Sequence, residues 1–170
     1  MREKGSAYTE SSVLPLVVRG PGIAPGTTLD VLASQADLAP TFAEWAGVSV
    51  PEFVDGRSLA SILAGSPVPA DWRQVALIEH AESEFDETGR KPTWAALHGT
   101  QFLYTSYNTG EQELYDLRVD PYQVDNIAGE TDAVILEALA DRAERMATCQ
   151  ADMCRSIESE PLPPDLLPTS

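Results

Sequence analysis

Positive charge is scarce in this chain: 11 lysines and arginines stand against 27 aspartates and glutamates in 170 residues, a formal net charge of -16. That balance excludes binding nucleic acid or an anionic membrane surface through a broad basic face, and its commonest meaning is solubility. No apolar run is long enough to cross a bilayer. The opening Met1-Arg2-Glu3-Lys4-Gly5 has no apolar core of a signal peptide. It leads within a few residues into a buried-looking segment, as a truncated chain would begin. There is no Ser/His/Asp motif, no G-x-S-x-G elbow and no phosphate-cradling glycine loop. Histidine occurs twice, as His80 and His98, and cysteine twice, as Cys149 and Cys154. A C-x4-C pair without neighbouring histidines is two ligands short of a zinc site. A local disulfide is the better reading, pointing to an oxidising extracellular or periplasmic setting, with two free buried thiols as the alternative.

What is present suffices for a core: 43% of the residues are hydrophobic, enough for one domain or two small ones. The unbroken apolar run Val13-Leu14-Pro15-Leu16-Val17-Val18 predicts a strand covered on both faces, with Pro15 at its start because it cannot donate to a ladder. Asp37 is placed to cap a helix over 38–46, with Pro40 in its first turn and Gly47 as its stop. Leu38, Phe42 and Trp45 then recur at helical spacing and are expected to face a core. A shorter helix is predicted over 58–64. From Ser66 onward, Pro67 and Pro69 mark a subdomain boundary. Strands are predicted over 75–78, 93–97, 101–107 and 111–117, the last two joined by the turn Asn108-Thr109-Gly110. Thr131 is expected to cap a helix reaching about Met146, with Ile135, Leu139, Ala143 and Met146 on one face. This order reads as an α/β fold: the end of a doubly wound domain over 1–66, then a small α+β subdomain over 67–159 with an antiparallel sheet and a C-terminal helix. A proline-rich tail occupies 160–170.

Two clusters invite a ligand reading. Glu79, Glu82, Glu84, Asp86 and Glu87 crowd one segment, but without the D-x-D-x-D-G spacing of a calcium loop they read as a solvated acidic loop. His80, beside Glu79 at a strand end, lines a substrate pocket if the small subdomain leans over an active site. Otherwise it is a packing or surface histidine.

A set of motifs runs in order along the chain: Lys4-Gly5-Ser6-Ala7-Tyr8, Leu14-Pro15-Leu16-Val17-Val18-Arg19-Gly20-Pro21-Gly22, Asp37-Leu38-Ala39-Pro40-Thr41 with Ala46-Gly47, and Asp55-Gly56-Arg57-Ser58-Leu59. Leu114-Tyr115-Asp116-Leu117, Asp120-Pro121 and Asn126-Ile127-Ala128 complete it. The ordered set resembles the sulfatase family, within the alkaline-phosphatase-like superfamily, over nearly the whole chain. Trp72-Arg73, Leu77-Ile78-Glu79 and Cys149-x4-Cys154-Arg155 look most like N-acetylglucosamine-6-sulfatases and their bacterial relatives. The resemblance implies hydrolysis of sulfate esters by a formylglycine made from a C/S-x-P-x-R motif, assisted by a divalent cation, usually calcium. Neither the nucleophile motif nor the metal ligands occur here, and Cys149-Gln150-Ala151-Asp152-Met153 is no substitute. The implied partners are therefore an N-terminal catalytic portion and a sulfated small molecule or sugar. Calcium would be bound by the full-length parent and not by this segment, and the isolated chain is expected to be inactive. Lys4 maps onto the family lysine that contacts the substrate sulfate; an ordinary solvated lysine is the plainer alternative. Thr9 stands where the family commonly has glutamate, and Val13 where it has a basic residue. A phosphonate or phosphate-ester hydrolase of the same superfamily, or a non-catalytic accessory module, are the competing readings.

Overall fold

The computed structural model describes residues 5–80 and 93–167. Along the chain come helices α1 (Thr9–Ser12), α2 (Leu38–Trp45) and α3 (Ala60–Leu63). Strands β1 (Ala76–His80), β2 (Trp94–His98), β3 (Phe102–Tyr107) and β4 (Gln112–Asp116) follow, then helices α4 (Ala133–Thr148) and α5 (Asp152–Glu158). Two compact units share these elements. The sheet unit draws its described residues from Met1–Leu14, Leu77–Thr148 and Pro161–Ser170; the ion-pair unit is Pro15–Ala76 with Cys149–Glu160.

In the sheet unit the strand order is β1-β2-β3-β4. The β2/β3 and β3/β4 pairs are antiparallel, and Ala96 opposite Thr105 opposite Glu113 fixes the register. Side chains alternate between faces along a strand. Trp94, Ala96, Leu103 and Tyr115 therefore share one face, where they form a core with Ala7. Leu97, Tyr104 and Leu114 share the other, and α4 packs on β2 with Leu139, Ala143 and Met146 buried. Burial on both faces is why β3 reads apolar at consecutive positions rather than alternating. Gly110, at φ 99, turns the β3–β4 hairpin with its N–H on the Tyr107 carbonyl at 3.0 Å. The cap of α4 differs from expectation. Asp132 Oδ1 accepts from the Val134 N–H at 2.9 Å, while the Thr131 hydroxyl donates back to the Ile127 carbonyl.

The ion-pair unit corrects three expectations. Residues 13–18 form no strand; they are irregular, and Val17 is 92% exposed. An apolar run becomes a central strand only beside other strands, and no described strand pairs with it. Helix α2 forms where predicted, but Phe42 and Trp45 are 59% and 48% exposed while Pro40 and Thr41 are buried. Hydrogen bonds orient the helix: the Thr41 hydroxyl donates to the Asp37 carbonyl at 2.6 Å and accepts from the Leu59 N–H at 2.9 Å. Asp37 stands at the N-cap position of α2, but its carboxylate makes no cap hydrogen bond there. It ends a 3-10 turn capped by Ser34, and its carboxylate accepts from the N–H groups of Ser34 (2.7 Å) and Arg57 (2.8 Å).

The remaining lone pairs of Asp37 take a two-pronged hydrogen bond from Arg73, at 2.5 and 2.7 Å. Both side chains are fully buried. Glu158 of α5 bridges Arg73 (3.0 Å) and Arg57 (3.3 Å). Burial alone would lower the Arg73 pKa, but the hydrogen bonds and charges of Asp37 and Glu158 outweigh it and hold it raised. Gly56 is required here, since a Cβ would sit 2.1 Å from the Ala36 carbonyl oxygen. Trp72, beneath both guanidinium groups at 5.8 and 5.5 Å, covers the pair with apolar surface alongside Leu59 and Ile62.

Asp37→Ala would strand the Arg73 charge in this interior, and the expected loss is about 3–5 kcal/mol. The exposed helical pair Asp141–Arg145 serves as the control, with Asp141→Ala costing under about 0.5 kcal/mol. Urea unfolding of the two variants checks the contrast, and equal losses would contradict it.

Candidate functional site

Lys4 lies outside the described residues, as do the acidic positions 82–87. The segment that follows Lys4 is described, and it lies against the sheet. Ala7 is buried in the Trp94–Leu103–Tyr115 core, and the Tyr8 ring meets Tyr115 edge-on at 6.0 Å. The Tyr8 and Tyr107 hydroxyls both donate to Glu113, at 3.5 and 3.2 Å. Burial, joined by the Glu113 charge, pushes the Tyr107 phenol well above its ordinary range. Burial, the Tyr8 hydrogen bond and the same charge do so for Tyr115. Both phenols are neutral at physiological pH, so they serve as packing and donor groups rather than bases. Thr9 closes the segment, its N–H donating to Gln123 Oε1 at 2.8 Å.

His80 ends β1 half-buried, its ring stacked on Trp94 at 5.9 Å. His98, on β2, keeps a neutral ring because burial lowers its pKa, and Nδ1 donates to the Gly99 carbonyl at 2.8 Å. Cys149 and Cys154 are joined in a disulfide that closes the turn entering α5. Ala151 inside that turn, at φ 55, donates its N–H to Asp55 Oδ1, and Arg155 donates to the Val54 carbonyl. The bridge thus shapes the segment that delivers Glu158 to Arg57 and Arg73.

Among the described residues no group of three or more His, Cys, Asp or Glu is arranged to hold a metal ion. The described donors therefore do not fit a divalent cation. Among the described residues no helix is long and apolar enough to cross a membrane. Sequence reasoning had not singled out Glu113, Gln123 or the Asp37–Arg73–Glu158 network. Of these residues Asp37 alone falls within the ordered motifs.

Residues 2–150 match the family described as N-sulphoglucosamine sulphohydrolase, C-terminal. An N-acetylglucosamine-6-O-sulfatase of Bacteroides thetaiotaomicron is 30% identical over 132 residues, which cover 76% of this chain and 24% of that protein. A protein solved in complex with its substrate D-glucosamine-2-N,6-O-disulfate superposes with a TM-score of 0.54 at 30% identity, covering 64% of this chain and 22% of its own. A phosphonate monoester hydrolase from Silicibacter pomeroyi superposes with a TM-score of 0.60 at 31% identity, covering 76% and 27%. The chain spans about a quarter of the length of these relatives.

Reducing Cys149–Cys154 releases a loop of sequence separation 5, and on the chain-entropy account that costs about 2 kcal/mol. Thermal melts with and without reductant should show the loss, and Cys149→Ser should remove the dependence on reductant. A melting point indifferent to reductant would reject it.

Proposed function

The chain belongs to the N-sulphoglucosamine sulphohydrolase C-terminal family, and from that premise we propose that it is the C-terminal portion of a sulfatase acting on sulfate esters of sugars. The carrying observation is that the family match runs through the Lys4–Thr9 segment, whose described part is fixed to the sheet by Ala7, Tyr8 and Thr9. In this reading Lys4 offers its ammonium group to the sulfate. A compact permanent cation suits an ester whose non-bridging oxygens gain charge in the transition state. The formylglycine nucleophile and calcium come from an N-terminal catalytic portion. Apolar surface on Leu16, Val17, Phe42 and Trp45 is of the kind such a portion would cover. The sugar substrate class follows the relatives, one an N-acetylglucosamine-6-O-sulfatase and another solved with a disulfated glucosamine.

A second reading, a phosphonate or phosphate-ester hydrolase, is favoured by the likeness to the phosphonate monoester hydrolase. Phosphonate monoesters are also tetrahedral anions that a lysine can hold, so the two readings share this segment's chemistry and differ in the upstream nucleophile. Assaying the chain joined to its upstream catalytic portion on a chromogenic aryl sulfate and an aryl phosphonate separates them. Preference for the phosphonate would replace the first reading with the second.

Two outcomes are expected. The 170-residue chain alone shows no aryl sulfate turnover above the buffer blank, and activity that copurifies with it would contradict this. In the complete hydrolase, Lys4→Ala lowers turnover about a hundredfold or more, the scale of deleting an oxyanion donor. Lys4→Arg restores it only in part, because a planar guanidinium does not occupy an ammonium's position. Unchanged turnover in Lys4→Ala would remove Lys4 from the site.

A further inference from the structure

The loop after β4 contains one residue turned the wrong way for a surface turn. Tyr122 and Val124 are 75% and 84% exposed, yet Gln123 between them is 6% exposed. Its backbone sits at φ 52, in the left-handed region that L-residues other than Gly, Asn and Asp seldom enter. Asp120 builds the turn, its Oδ2 accepting from the N–H groups of Val124 (2.8 Å) and Asp125 (2.9 Å). Both ends of the inverted amide are then occupied. Nε2 donates to the Pro121 carbonyl, and Oε1 accepts the Thr9 N–H at 2.8 Å, across a separation of 114 residues. Thr9 is the first residue of α1, so its N–H has no partner within the helix and depends on an acceptor from elsewhere. An acceptor buried at this cost in backbone conformation, and aimed at one main-chain donor, fixes a path rather than fills a space.

We infer that Gln123 is a positioning residue: by holding the Thr9 N–H it sets the course of the segment that carries Lys4 into the sulfate site. The inference rests on the reading of Lys4 proposed above. Glu113 supports the same segment through Tyr8, but its hydrogen bond there is long at 3.5 Å. Gln123 therefore holds the tighter end. The role differs from a contact with substrate, because the amide reaches only main-chain groups of its own chain.

Two variants test it in the complete hydrolase. Gln123→Gly keeps the left-handed turn at no steric cost and deletes the acceptor. Thr9→Pro removes the donor instead, at a helix start where proline is tolerated, after Tyr8 at φ -53 and ψ 147. Gln123→Gly and Thr9→Pro should each lower kcat on an aryl sulfate about tenfold or more with KM nearly unchanged, as small misplacements of a reacting group do. In the 170-residue chain, Gln123→Gly should speed amide hydrogen exchange at Thr9 by about tenfold, the loss of one hydrogen bond, with β2–β4 amides unchanged. Unchanged kcat in Gln123→Gly or unaltered Thr9 exchange would overturn the inference. A wild-type hydrolase inert toward sulfate esters would sink the functional reading instead, while Thr9 exchange still decides whether the clamp exists.

Discussion

Asp37 and Arg73 meet with no solvent around them, and the ion-pair unit is arranged to make that meeting tolerable. An isolated buried charge costs several kcal/mol or more, so each lone pair and each N–H must be used. The 3-10 turn at Ser34 supplies one donor, the Gly56 turn brings a second through the Arg57 N–H, and Arg73 supplies two. Glu158 neutralises what remains, and α5 is held in place by a disulfide and by Arg155. Three stretches of chain meet at one carboxylate, and a fourth joins them through the two arginines. The apolar cluster of this unit is small, centred on Leu59, Ile62 and Trp72. The charges thus decide which stretches meet, while the apolar cluster supplies the burial that gives the charges their strength.

The sheet unit works by the opposite economy. Its inner strands β2 and β3 are buried on both faces, one beneath α4 and the other around Ala7, so apolar area dominates. Polar groups enter at the margin, where Glu113 gathers the hydroxyls of Tyr8 and Tyr107 and Gln123 takes the Thr9 N–H. These contacts add little area, but they give residues 5–9 a defined course along the sheet. Burial of Ala7 alone would leave the segment free to slide or rotate, since one small apolar side chain does not set a direction.

How much of this was legible depended on the range of the interaction. The strands and α4 were readable within a residue or two at most ends, because period-two and period-3.6 patterns are local and each residue carries its own share of the signal. The run 13–18 misled because apolar composition announces a wish for cover and says nothing of whether the covering strands are in the same chain. Helix α2 was found with its burial reversed. Its apolar stripe was real, but orientation came from Thr41 and Asp37 bonding residues 18 and 20 positions away. The Arg73–Asp37 and Glu158–Arg73 pairs, 36 and 85 positions apart, have no local pattern. Gln123 was invisible for a further reason: a glutamine in a polar loop looks solvated until its backbone is seen to be left-handed.

The motifs that carry the family likeness turn out to be ties. Asp37, Thr41 and Gly56 join two loops; Asp120 shapes the turn that inverts Gln123; Asn126 accepts from the Leu114 and Ala128 N–H groups and donates to the Gln112 carbonyl. Each is spent on hydrogen bonds inside its own unit. Residues used in this way are constrained by the fold, whatever the substrate. That accounts for a likeness of similar strength to a sulfatase and to a phosphonate monoester hydrolase. A fold-building tie cannot distinguish sulfur from phosphorus at the centre of a tetrahedral anion, because it never touches that anion. Discrimination has to come from groups outside these ties, because only a group that touches the anion can sense its central atom.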